Sequence, residues 1–228
     1  MVKGNLSIDL LGTASDFEKY IMRAIEKQMD KAVNKSIKII QSKARPIIES
    51  AISQCDEMQA LLSGPLRGEL GLSSSAAKNA VDNISEAIGQ AISFTNTSSK
   101  TKKGTGGLEV HFQPMSFLNV LSLSDGSYSY RKRATLWGQI VSANVQIDWL
   151  NWLLLKGDSV IVSNFTFKPQ VGKGRSGEGK MQKGGSWRIS PSYAGTAQDN
   201  FITRALQSQT TVKEISKVIQ DAIKKNWD

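Results

Sequence analysis

Near the start of the chain, eight apolar residues recur at steps of three or four: Phe17, Ile21, Ile25, Met29, Val33, Ile37, Ile40 and Ala44. Lysine, glutamate and aspartate fill the gaps. At 3.6 residues per turn such positions fall on one side, so the spacing predicts a long helix with a single apolar stripe. Ser15, with Glu18 three residues on, reads as a capping box at its start. Pro46 has no N–H and is expected to kink or break the helix. The stripe then resumes at Ile47, Ile48, Ala51 and Ile52 towards Leu62. A helix of about 30 residues is about 45 Å long, more than most globular domains need. The stripe therefore has two candidate covers, the chain's own sheet or a neighbouring subunit.

Ser63-Gly64-Pro65 predicts a turn, and Leu66, Leu70 and Leu72 one short helical turn. Ser73 to Ser75 can cap a further helix from about Ala76 to Ile92. Ala80, Val81, Ile84, Ala87, Ile88 and Ala91 would face inward on it. Composition then shifts to TNTSSKTKKGTGG, a polar linker from Thr95 to Gly107. Glu109 to Phe112 can start a strand, and Gly126 to Tyr130 alternates like one behind an Asp125-Gly126 turn. Ile147 to Leu155 reads as a buried helix. Val160 to Phe167 is the clearest strand, rich in β-branched and aromatic residues. A glycine- and lysine-rich loop runs from Pro169 to Gly185, and Trp187 to Ile189 offers a short return strand. A helix from Gly195 to Leu206 follows. Thr211 with Glu214 predicts a second capping box, opening a last helix to about Lys225.

The expected class is α+β: long N-terminal amphipathic helices, a small antiparallel sheet with a long mobile loop, and C-terminal helices. Residues 1–106 form a helical region ending in the linker. Residues 107–228 form an α+β core carrying the basic glycine-rich loop, with one domain spanning both as the alternative.

The chemistry-bearing motifs are few. The chain has one cysteine, Cys55, and one histidine, His111, which excludes an internal disulfide and any Cys/His metal spacing. His111 lies in an alternating stretch, as a surface or sheet histidine. Gly172, Gly174 and Gly177 fit G-x-G-x-x-G, and Gly174, Gly179 and Lys180 fit G-x-x-x-x-G-K. However, Met181 stands where a phosphate loop needs Ser or Thr, and no helix starts there. No nucleophile elbow occurs, and the carboxylates between Gly107 and Ser190 are scattered. No catalytic, cofactor-binding or metal-binding residue is therefore expected. Trp149 and Trp152, three apart on an apolar segment, read as core. The N-terminus makes a poor signal peptide, and no segment is apolar enough to span a bilayer, so a protein made in the cytoplasm is expected.

The positive signal is charge. The formal net charge is +9 and the pI about 9.6, a balance that favours an anionic partner. Arg131, Lys132 and Arg133 follow one strand. Lys168, Lys173, Arg175, Lys180, Lys183 and Arg188 line or flank the glycine-rich loop, against Glu178 alone. Such a loop can grip phosphates, order on an acidic partner, or be a solvated surface.

Three stretches carry a resemblance to a known family: KAVNKSIKIIQSKARPII, SGPLRGELGL and SWRISPSYAGTAQDNFITRALQ. In these the chain resembles the neck and tail-completion proteins of tailed bacteriophages, grouped with the tenth gene product of phage HK97. The resemblance implies a structural, non-enzymatic virion component without cofactor. It implies a homo-oligomer ring between the portal–adaptor complex and the tail. The implied partners are other neck, adaptor or tail proteins, with passing contact with packaged DNA and none with membrane. On this reading the loop from Pro169 to Gly185 docks on an adjacent virion protein. The alternative function is that of a non-specific nucleic-acid-binding protein.

Overall fold

A computed structural model describes residues 14–97, 107–112, 119–136, 139–169 and 179–227. Its dominant element is helix α1 (Ala14–Ser53), which runs without interruption through Pro46. The expected break is absent. Proline deprives the Ser42 carbonyl of its intrahelical donor, but both residues face solvent, where water can replace that bond. The expected capping box is also absent, because Ser15 already lies within the helix. The stripe does not continue unbroken to Leu62: α1 ends at Ser53 and a separate helix α2 (Asp56–Leu62) starts after Cys55.

Helix α3 (Pro65–Leu70) follows, with proline at its first position, where the missing N–H is harmless. Helix α4 (Ser74–Ala91) begins at Ser73, whose hydroxyl accepts from the Ala76 N–H, as the serine run predicted. A strand that the sequence reading had given to a helix end and a linker comes next. This is β1 (Ile92–Thr97), antiparallel to β2 (Gly107–Phe112) with Phe94 opposite Val110. After a single 3-10 turn, Ser124–Gly126, come β3 (Tyr128–Leu136) and β4 (Gln139–Ile147). They pair antiparallel from Tyr128 opposite Ile147 to Leu136 opposite Gln139.

The expected helix over 147–155 shrinks to α5 (Leu150–Leu154), because Ile147 closes strand β4. The last hairpin pairs β5 (Val162–Pro169) with β6 (Gly179–Trp187). Helix α6 (Phe201–Gln207) starts six residues later than Gly195 predicted. Asn200 caps it, its side chain accepting from the Ile202 and Thr203 N–H groups, while the Thr203 hydroxyl accepts from the Asn200 N–H. Helix α7 (Gln209–Lys225) is capped by Ser208 rather than Thr211, whose own N–H donates to the Ser208 hydroxyl.

The class is α+β, as expected. Among the described residues, however, the strands form three separate two-stranded ladders instead of one small sheet. The helices supply the core. The second half of α1 packs along α7 and α4 and touches β1 and α6. Ile40, Ala44, Ile48 and Ile52 are buried there with Ala77, Ile84, Ile88, Phe201 and Ala222. Burying one such isoleucine stabilises by roughly 1.5–3 kcal/mol. The same cluster includes Trp149, Leu150, Leu153 and Trp187, so residues before and after position 106 share one core.

One close approach locks α5 to the segment before α6. The Gly195 N–H donates to the Trp152 carbonyl at 3.0 Å, and the Gly195 carbonyl accepts from the Gly157 N–H at 2.8 Å. A Cβ at position 195 would lie 1.9 Å from the Leu153 carbonyl oxygen, so only glycine fits.

Candidate interaction surfaces

Two surfaces stand out from this body. The first is the N-terminal half of α1. Tyr20, Ile21, Met22, Ile25 and Met29 are between 43% and 71% exposed, whereas Ala32, Val33, Ile40 and Ala44 on the same helix are buried. At 100° per residue, Ile21, Met22, Ile25 and Met29 share one side, and Tyr20 points away from it. The change comes where α7 ends. Gln28 Nε2 donates to the Trp227 carbonyl at 2.6 Å, and Ser36 Oγ lies 2.9 Å from the Ala222 carbonyl and accepts from Asn226 Nδ2 at 3.0 Å. Before these fastenings nothing among the described residues covers the stripe.

Charge divides at the same place. Residues 16–31 hold Asp16, Glu18, Glu26 and Asp30 against Lys19, Arg23, Lys27 and Lys31. Residues 35–49 hold Lys35, Lys38, Lys43 and Arg45 against Glu49. In a chain of net charge +9, the exposed apolar face thus sits on a segment without net charge.

The second surface is the β5–β6 ribbon. Of the expected loop from Pro169 to Gly185, residues 170–178 lie outside the described residues; Pro169 closes β5, and Gly179 to Gly185 belong to β6. A register shift between Ser163 and Phe165 places Asn164, with φ 64°, against Gly184 and Gly185, with φ 113° and 73°. Such a bulge needs left-handed backbone, which glycine supplies without strain.

Four of the six expected docking residues can be located. Lys168 lies directly opposite Lys180, and Lys183 opposite Phe165. Arg188, just past β6, pairs with Asp158 at 3.3 Å. Lys173 and Arg175 lie outside the described residues. Phe165 and Met181, which the sequence reading did not single out, are exposed on the same ribbon.

A cleft of about 710 Å³ runs between α1, α2, α6 and α7, lined by Cys55, Glu57, Arg204, Ser208, Thr211 and Glu214. Arg204 hydrogen-bonds the buried Glu57 carboxylate and reaches Asp199 at 2.6 Å. Burial pulls the Arg204 guanidinium down, but its bonds to Glu57 and Asp199 outweigh this and hold it above its ordinary value. Burial pushes the Cys55 thiol up to about 12, so it stays protonated at neutral pH and is no nucleophile. Burial also raises Glu69, an effect that neighbouring Trp187 opposes.

The expected surface histidine is confirmed. His111 is an exposed residue of β2, 2.9 Å from Glu109. Of the tryptophans, Trp149 and Trp187 are buried in the core, and Lys156 stacks 4.2 Å above the Trp152 ring. Trp137 lies outside the described residues. Among the described residues no three metal-binding side chains cluster, and no helix is long and apolar enough to cross a membrane. No protein-family model, characterised protein or solved structure matches the chain.

Proposed function

We propose that this chain is a structural subunit of a bacteriophage neck. In this reading it forms a homo-oligomeric ring that joins the portal–adaptor complex to the tail, and it resides in the virion. Its partners are sister copies and other neck, adaptor or tail proteins, and its role requires no catalysis and no cofactor.

The observation that carries the proposal is the exposed apolar face of Ile21, Met22, Ile25 and Met29. Contiguous exposed apolar patches mark interaction sites. A cationic partner surface is disfavoured by the chain's own positive charge, but the segment bearing this face has four acids and four bases. A sister copy can therefore approach it without net repulsion. Contacts of this kind between different faces of successive copies form a ring when the rotation from copy to copy closes.

The direct test is the mass of the purified chain across a concentration series. Wild type is expected to pass from single chains to a closed oligomer. The double variant Ile21→Lys/Ile25→Lys should remain single while keeping the wild-type circular dichroism. A wild-type chain that stays single at every concentration, and in isolated virions, defeats the proposal.

A further inference from the structure

We propose that the Lys168/Lys180 face of the β5–β6 ribbon is a binding site for the phosphate backbone of duplex nucleic acid. The site is separate from the α1 surface and does not depend on ring formation.

The ribbon's construction carries this. In an antiparallel ladder, directly paired residues share a face and alternate pairs take opposite faces. Beyond the bulge, one face holds Phe165, Lys183, Phe167 and Met181. The other holds Thr166, Gln182, Lys168 and Lys180, with no apolar residue among them. Lys168 and Lys180 are a like-charge pair with Cβ atoms about 5 Å apart, an arrangement that destabilises a hairpin. No carboxylate within salt-bridge distance of either is found among the described residues. The core compensates in part, since Val162 and Phe167 of β5 pack against it. Every residue of β6 between Gly179 and Trp187 is exposed, and two-stranded ribbons gain little stability on their own. An anion bound between the two ammonium groups would turn the repulsion into attraction.

The occupant follows from the chemistry of the face. Protein–protein interfaces have an apolar centre within a polar rim. Nucleic-acid interfaces are polar and strongly positive throughout, as this face is. A two-stranded ribbon also fits the width of a duplex major groove. The contacts argued here are charges on phosphate, which carry no base identity, so binding should depend little on sequence.

The test uses the full chain and a fluorescent DNA duplex of mixed sequence, with affinity measured by anisotropy over a range of salt. Wild type should bind with an affinity that falls steeply as salt rises. Lys168→Gln/Lys180→Gln should lower the slope of log affinity against log salt by about 1.8, at about 0.9 per lost phosphate contact. Lys168→Arg/Lys180→Arg should retain the wild-type slope. Lys78→Gln/Lys213→Gln removes the same charge from exposed helical positions and should leave the slope near wild type. Circular dichroism of each variant checks folding. The proposal is overturned if wild type binds no duplex, or if the helical pair lowers the slope as much as the ribbon pair. It is also overturned if polyglutamate displaces duplex at equal charge concentration, which would assign the face to an acidic protein.

Discussion

The two halves of α1 are built alike and end up in opposite surroundings. Both place Ile and other apolar residues at steps of three or four, and both fill the remaining positions with charge. From Val33 to Ile52 the stripe is buried beneath α4, α6 and α7. From Ile21 to Met29 the same stripe faces outward. Helical periodicity thus states that a face is to be buried, and says nothing about which surface buries it. What separates the halves is the reach of α7 and the residues just after it, which fasten to Gln28 and Ser36.

Substitutions along this gradient should have graded effects on unfolding in urea. Ile48→Ala empties a site in the middle of the core and should lose about 2–5 kcal/mol. Glu57→Ala leaves Arg204 without its buried partner and should lose roughly 1–3 kcal/mol. Ser36→Ala, at the border between the halves, removes the hydroxyl between Ala222 and Asn226 and should lose about 1 kcal/mol. Ile25→Ala should stay within about 0.5 kcal/mol of wild type when measured on single chains, as exposed substitutions do. Its effect should appear instead as weaker association at high concentration. If Ile25→Ala lowers single-chain stability as far as Ile48→Ala, the outer half is covered within the chain and the distinction fails.

The sequence was most legible where one local rule acts alone. The periodicity of α1, α4 and α7, and the cap at Ser73, follow from spacing and short-range hydrogen bonding. Legibility failed where a neighbour decides. Pro46 signals a kink or break, yet the helix runs through it, with Ala44 and Ile48 on either side buried in the core. Ser208 and Thr211 both suit a cap. The chain turns at Ser208, so Thr211 becomes a buried third residue that bonds back to it. Strand β1 hid in a linker-like run, because its pairing with Glu109 and Val110 is long-range. Strand β6 hid in glycine and lysine, because its conformation is set by β5 across from it. The cations of the candidate site could be read from composition. That Lys168 faces Lys180 could not, since register exists only between strands.

Position 195 has a consequence for how this protein can vary. The oxygen that a Cβ would strike belongs to backbone, which no rotamer change can move aside. If every codon were randomised in turn and folded clones selected, the exposed lysines of β6 should return a broad spectrum of residues. Position 195 should return the parent alone. The tolerance map would then be narrowest at a point with no side chain, outside either surface on which partners are expected to act.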